Sequence, residues 1–283
     1  MKNSLIFARL TLVEAARRKV LWALAVLAVV IIGLSSWGFA KLPMVHAFGA
    51  NLSTADSRLA TSQLLAFVLF ALSFVGALGM SFVATPTIAG ELESGVALAV
   101  LARPVRRAEV LFGKWLGLVG LSSVYMAIVG GAEIAAAEAG TGYHVPQPVT
   151  AVALLSFQSV ALLSLALLLS TLLSPLAAGV VAVGIFGAAW VAGLVGDIGQ
   201  TIHDSSVAEI GRVDHLLVPT DGLWQGVMHS LDQTSLASSF SDRLIGNPFF
   251  QDAGLTAAYI AWAAAWVAVV FVATQYRFSR LEP

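Results

Sequence analysis

The sequence contains no cysteine among its 283 residues, which excludes disulfide bonds, thiolate metal sites and cysteine nucleophiles. Charge is also scarce, since Lys, Arg, Asp and Glu make up 11% of the chain, whereas soluble domains average about 25%. A folded soluble protein needs more polar surface than that, so a soluble enzyme is excluded. The net charge of -1 leaves no basic surplus to neutralise nucleic acid. Hydrophobic residues reach 58%, which indicates a protein of the lipid bilayer.

Long uncharged segments locate six membrane-spanning helices. A charged side chain at the bilayer centre costs about 2.5–3.5 kcal/mol, so charges mark the sequence outside the spans. One uncharged stretch, Ala139–Gly196, is long enough for two spans, and Ser174-Pro175 divides it. The predicted fold class is therefore an all-α membrane protein with a single transmembrane domain over residues 1–283. Its spans are predicted near residues 20–39, 62–84, 113–136, 150–173, 175–196 and 253–274.

The distribution of Lys and Arg predicts the orientation of these spans. Eleven of the 15 basic residues fall in the N-terminus, the connection between the second and third spans, and the C-terminus. Because cytoplasmic loops carry the excess of Lys and Arg, both termini are predicted to be cytoplasmic. The first apolar stretch has no Ala-x-Ala cleavage site after it, so it is predicted to remain as a span. The expected location is the inner (plasma) membrane, with several passes.

The segment before the first span has a helical pattern. Leu5, Ala8, Leu12 and either Ala15 or Ala16 recur at helical spacing within residues 3–19. This spacing predicts an amphipathic helix on the inner leaflet. A polar leader without a membrane role is the alternative.

The connection at residues 197–252 is too long for a plain loop and predicts two short helices on the extracytoplasmic side. Ser206 and Glu209 have capping-box spacing for the first helix, which Pro219 would stop, and the second would begin at Thr220. The second helix is interpreted as a lid on the outer mouth, or alternatively as a helix packed on the ends of the spans. Its apolar face supplies the candidate outer gate: Leu223, Trp224, Val227 and Met228.

The connection between the second and third spans has an apolar middle, Val96–Leu101, although it is predicted to be cytoplasmic. Glu91 and Glu93 stand where the chain leaves the membrane, and an anionic leaflet disfavours carboxylates there, so they require a protein partner. An apolar run in the cytoplasm is expected to insert into a groove. A loop folded back on the inner leaflet is the alternative. The predicted interface residues are Glu91, Glu93, Gly95, Val96, Leu98, Leu101, Arg103, Pro104, Arg106 and Arg107.

This segment resembles the permease subunits of ABC exporters of the type-2 class, in particular those for multicopper-enzyme maturation and nitrous-oxide-reductase maturation. Their pattern is E-x-E-x-G-T, a leucine-rich turn, R-P-x-x-R and a Lys entering the third span. Val96 stands where the family has Thr, and Leu217–Asp221 resembles a further family segment. The matching residues are Glu91, Glu93, Gly95, Arg103, Pro104, Arg107 and Lys114.

The resemblance implies a transmembrane half that pairs with a second permease copy and is driven by a separate cytoplasmic ABC ATPase subunit. The only partial phosphate-loop match is Gly113-Lys114-Trp115, which lacks the earlier glycine and the hydroxyl residue. The chain is therefore predicted to bind no cofactor and not to be an enzyme by itself. ATP and Mg are expected on the ATPase.

Two polar residues in the spans are candidates for the substrate path. Glu133 is interpreted either as a substrate contact or as a hydrated carboxylate at the rim. Gln158 is interpreted either as a contact with substrate or as a hydrogen-bonding link between helices. All five histidines fall on the predicted outer side without ligand spacing, so no metal site is predicted.

The fifth span carries small residues four apart, Gly184, Ala188, Ala192 and Gly196. Such a stripe lets another helix approach closely, within the bundle or at a dimer seam.

The predicted function is export through an ATP-driven permease. One alternative is a membrane scaffold that passes ATPase-driven motion to an extracytoplasmic partner, which the long segment 197–252 would serve. Another is a secondary transporter or channel, for which broken or charged helices at the midplane are expected.

Overall fold

The computed structural model describes residues 2–42, 46–47, 50–51, 54–87, 107–231 and 255–280. Six of the described helices are long and apolar enough to cross a membrane, which confirms the predicted all-α class with six spans. A two-residue antiparallel pair, β1 (His46–Ala47) with β2 (Ala50–Asn51), joins the first two spans. The helices in chain order are α1 (Lys2–Ala16), α2 (Lys19–Lys41), α3 (Thr54–Ala84), α4 (Arg107–Thr141), α5 (Pro148–Leu169), α6 (Pro175–Thr201), α7 (Ser205–Leu217), α8 (Thr220–Ser230) and α9 (Ala257–Arg280).

The six predicted spans coincide with α2, α3, α4, α5, α6 and α9 in their central parts and differ at the ends. Helix α4 runs from 107 to 141, beyond the predicted 113–136, and α9 covers 257–280 instead of 253–274. The ends differ because composition predicts only the apolar part of each helix. The helix itself continues beyond that part until a turn ends it. The division at Ser174-Pro175 is confirmed, because α6 begins at Pro175, whose fixed φ suits a first helical position.

Helix α5 is the central helix of the bundle. Among the six spans it has the largest buried share, and it packs against α3, α4, α6, α8 and α9. Its polar side chains are paired with neighbouring helices: Ser159 Oγ lies 2.5 Å from Ser122 Oγ of α4, and Trp115 Nε1 donates to Ser164 Oγ at 2.9 Å. Buried hydrogen bonds of this kind hold helices together where lipid offers no hydrophobic gain.

The N-terminal helix α1 packs on the first part of α4 through small residues. A Cβ at Gly117 would lie 2.6 Å from the carbonyl oxygen of Ala8, so the two backbones are in close contact. The predicted apolar stripe is divided, because Leu5 is 61% exposed and Leu12 is also exposed, so both are free to face lipid, and the position of α1 on the inner leaflet stays a prediction. The buried face is instead Ser4, Ala8, Thr11 and Ala15.

The two predicted short helices are present as α7 and α8. The predicted capping box is wrong: α7 begins at Ser205, and the Asp204 carboxylate caps it by accepting from the backbone N–H groups of Ser206 at 2.9 Å and Val207 at 3.3 Å. Helix α8 begins at Thr220 as predicted. It packs against α5, α6 and α7, so it belongs to the bundle.

Candidate functional site

The predicted coupling segment is the stretch of interface residues from Glu91 to Arg107, which lies between α3 and the start of α4. Residues 88–106 lie outside the described residues, and with them every predicted interface residue except Arg107, the first residue of α4. Lys114 of α4 is only 7% exposed, and its Nζ donates to the carbonyl oxygen of Thr87 at 2.9 Å. Thr87 ends a short 3-10 helix, Thr85–Thr87, that follows α3, and a lysine bound to such a final carbonyl satisfies an acceptor that has no partner within the helix. This contact joins the two stems of the coupling segment, which are the end of α3 with the 3-10 helix before the segment and the start of α4 after it.

Arg107 links the same region to the last span. Its Nη1 donates to the carbonyl oxygen of Ser279 near the end of α9 at 3.3 Å. Arg277 and Arg280 occupy the last turn of α9, and the Arg280 guanidinium lies 4.3 Å from the centre of the Tyr276 ring. We call this end of the bundle the basic end, defined by Arg107, Arg277 and Arg280.

The two predicted substrate-path residues are both buried and are not adjacent. Glu133 is 0% exposed, so the interpretation as a hydrated rim carboxylate is wrong. Its carboxyl oxygens lie 2.7 and 2.9 Å from Ser35 Oγ of α2. Gln158 of α5 accepts from Ser73 of α3 at 2.9 Å and donates to the carbonyl oxygen of Thr220 at 3.1 Å. Gln158 therefore links α5 to α3 and to the start of α8.

The candidate outer gate lies inside the protein. Leu223, Trp224, Val227 and Met228 are all buried in a hydrophobic cluster with residues of α3, α4 and α5. The Trp224 ring meets Phe70 of α3 edge-on, with centroids 5.5 Å apart. The predicted apolar face of α8 is thus its packed face in this conformation, and its role as a gate stays a prediction.

A polar corner that sequence reasoning missed lies where α7 meets α8. His215 Nε2 lies 2.9 Å from Asp221 Oδ2, and Gln225 Nε2 lies 3.1 Å from both groups. Tyr259 Oη donates to the carbonyl oxygen of His215 at 3.2 Å. The sequence pattern places His215 among five histidines without ligand spacing, but its neighbour Asp214 and the nearby Asp221 are the signal that indicates a polar cluster. Within the described ranges no group of three or more His, Asp and Glu side chains is arranged to hold a metal.

The two ionisable groups of α7 at this corner have shifted pKa values. Burial, with a smaller contribution from the charge of Asp221, raises the pKa of Asp214 to about 6, against a lowering effect of His215. Burial lowers the pKa of His215, but the hydrogen bond to Asp221 and the charges of Asp221, Asp214 and Asp197 outweigh it, so the net pKa is raised. The corner therefore holds a proton more tightly than separate side chains would.

Comparison with known proteins identifies the family. The sequence profile of a family described as "ABC-2 family transporter protein" matches residues 8–282, which is nearly the whole chain. A comparison with curated proteins finds no match. The family implies association with the membrane and with an ABC ATPase partner. The chain therefore belongs to the ABC-2 transporter family and is a membrane permease component of an ABC transporter.

Proposed function

We propose that this permease is the transmembrane subunit of an exporter that a separate ATPase subunit drives through residues 91–107. The observation that carries the proposal is the family match over residues 8–282. The six spans support it, as does the connection between spans two and three, in which charged residues flank an apolar run. The proposal includes the narrower class that the sequence resembles, the permeases for multicopper-enzyme maturation and nitrous-oxide-reductase maturation. ATP and Mg would be bound by the ATPase, whose closure would draw the docked segments together.

The stems of the segment are built to pass on such a movement. Lys114 ties α4 to Thr87, and Arg107 ties α4 to Ser279. A force applied between the stems therefore acts on α3, α4 and α9 together, as rigid-body gating requires. Lys114, the lysine of the incomplete phosphate-loop match, is engaged in this structural contact.

The proposed orientation places the basic end in the cytoplasm of the inner membrane. Positive charge in cytoplasmic loops sets the orientation of membrane proteins. The polar corner, α7 and α8 then face the outer side, where the substrate would leave.

A second permease copy completes the proposed transporter. Gly184 and Ala188 of the small-residue stripe are exposed, and a Cβ at Gly184 would meet nothing within 4 Å. Gly196, by contrast, packs on Gly211 of α7. The exposed part of the stripe thus supports close approach of another helix.

The docking role is tested with the double variant Glu91→Ala plus Glu93→Ala, co-expressed with the ATPase. We expect about tenfold less ATPase to co-purify, which corresponds to about 1.4 kcal/mol of binding free energy. A matched double variant, Glu138→Ala plus Glu209→Ala, removes two exposed carboxylates at the end of the bundle opposite the basic end. This variant should leave co-purification of the ATPase unchanged. Equal co-purification in both variants would show that the assigned segment does not dock.

A second measurement separates export from the scaffold alternative. Inside-out vesicles containing the assembled complex are supplied with ATP and an isotope-labelled cell extract, and the contents are analysed by mass spectrometry. An exporter accumulates at least one compound in an ATP-dependent way. Hydrolysis of ATP without accumulation favours the scaffold.

A further inference from the structure

Glu133 and Ser35 form an isolated polar contact between α4 and α2. Both side chains are buried, and the Glu133 carboxyl is completely enclosed. Among the described residues, Ser35 Oγ is the only hydrogen-bonding partner of this carboxyl. An ionised carboxylate offers about four acceptor sites, and a buried one with few donors is strongly disfavoured.

The positions of the hydrogen atoms follow from counting donors and acceptors. Ser35 Oγ lies 3.0 Å from the carbonyl oxygen of Ile32 and within 2.9 Å of both oxygens of Glu133. A serine hydroxyl has one hydrogen to donate. If Glu133 were ionised, three oxygens would compete for that hydrogen. If Glu133 is protonated, its O–H donates to Ser35 Oγ and the Ser35 hydroxyl donates to Ile32, so each hydrogen has one acceptor.

Among the residues that the structure describes, no charged side chain pairs with Glu133. The carboxyl is fully buried, and its hydrogen-bonding partner is the neutral hydroxyl of Ser35. The titratable groups nearest to Ser35 and Glu133 along α2 and α4 are engaged or exposed elsewhere, and Arg58 of α3, the helix that packs on both, is exposed. Tyr125 donates to the carbonyl oxygen of Leu24 at 3.3 Å, Glu138 pairs with His144, and Lys41 is exposed.

We propose that Glu133 is a proton-binding site of the permease and is a neutral carboxylic acid while α2 is docked. The bound proton joins α2 to the bundle, because α2 is the span with the smallest buried share and Ser35 is one of its few buried residues. Deprotonation of Glu133 would require water to reach the carboxyl, and so would require α2 to separate from α4. This inference comes from the contact itself and does not depend on coupling to an ATPase.

Infrared spectroscopy of the purified full-length protein tests the proposal. At about pH 8, far above the ordinary glutamic acid pKa of about 4.3, we expect a carbonyl band of a protonated carboxylic acid. Labelling of glutamate with ¹³C should shift this band. Glu133→Gln should abolish it, whereas Glu138→Gln, which removes an exposed carboxylate of the same helix, should leave it intact.

Two further measurements test the proposal: the infrared band of Ser35→Ala and the thermal stability of Glu133→Gln. Ser35→Ala removes the acceptor of the Glu133 hydrogen, so the carbonyl band should move to higher frequency. Because glutamine has the shape of the neutral acid, Glu133→Gln should also keep the thermal midpoint within a few degrees of the parent. Absence of a ¹³C-sensitive band in the parent protein at this pH, or a band that Ser35→Ala leaves in place, would overturn the proposal.

Discussion

At the scale of single residues, the polar corner of His215, Asp214 and Asp221 shows how burial and charge act together. Asp221 is buried beside Gly193, where a side chain larger than hydrogen would collide with its carboxylate. Asp214 is 9% exposed, and its Oδ2 has no hydrogen-bond partner in the described structure. The hydrogen bonds of the corner therefore leave part of its negative charge uncompensated, and binding of a proton reduces that charge.

We predict that the α7–α8 corner loses stability as pH rises. The folded pKa of Asp214, about 6, exceeds its ordinary value of about 3.9, so the folded state binds more protons between these values and its stability falls with rising pH. The raised pKa of His215 acts in the same direction: its stabilising effect is complete below its ordinary pKa of about 6.5 and is lost as pH rises through the folded value.

The variant Asp214→Asn measures the part that Asp214 contributes. At about pH 8 it should be more stable than the parent by roughly 1–3 kcal/mol, since each pKa unit corresponds to about 1.4 kcal/mol. Thermal unfolding and amide hydrogen exchange of α7 across about pH 5 to pH 8 check this. Glu209→Gln, on the exposed face of α7, is the control and should follow the parent. A pH slope in Asp214→Asn equal to that of the parent would contradict the assignment.

At the scale of helices, the contact of α1 with α4 depends on glycine. A Cβ at Gly117 would lie 2.6 Å from the Ala8 oxygen, a backbone atom that cannot rotate away. Gly117→Ala should therefore push α1 off α4 and cost about 1–3 kcal/mol, as overpacking does. Gly120→Ala is the matched control on α4, because a Cβ there meets nothing within 4 Å.

The control should be neutral or slightly stabilising, because alanine favours a helix over glycine by up to about 1 kcal/mol. Thermal unfolding in detergent, together with protease sensitivity of α1, separates the two variants. Similar midpoints and similar cleavage would mean that α1 does not pack on α4 as described.

The sequence predicted helices where one physical cause dominates. Apolarity over about 20 residues located the six spans, and Pro175 located the break between α5 and α6. Helix ends depend on which side chain reaches an unpaired N–H, so Asp204 capped α7 in place of the predicted Ser206. A helix at a membrane has two apolar surroundings, protein and lipid, so the sequence could not predict that close backbone contact with α4 selects the small residues of α1 for the protein side.

At the scale of the whole molecule, the contacts that matter most join distant parts of the chain. Ser35 meets Glu133 across 98 positions, and Gln158 meets Ser73 across 85. One sequence identifies such polar residues as costly, which is how Glu133 and Gln158 were found, but their partners are set by how the helices cross. The His215 corner differs, because Asp221 lies only six positions along the chain; its geometry depends on how the turn between α7 and α8 brings the two helices together.

The orientation of the whole bundle is the last prediction, and the absence of cysteine makes it direct to test. Each single-cysteine variant carries one thiol, and exposed serines are available at both ends: Ser205 at the start of α7, Ser279 near the end of α9, and Ser174 between α5 and α6. If the basic end is cytoplasmic, a membrane-impermeant maleimide should label Ser205→Cys in intact cells. Ser279→Cys should be labelled only after permeabilisation.

Ser174→Cys adds an independent check, because its connection carries no Lys or Arg and its side follows only from the number of spans. With six spans and cytoplasmic termini, residue 174 must lie in the cytoplasm, so this variant should behave like Ser279→Cys. Labelling of Ser174→Cys in intact cells would contradict the count or the order of the spans. Labelling of Ser279→Cys there would place the stems of the coupling segment outside the cell, where no cytoplasmic ATPase can reach them.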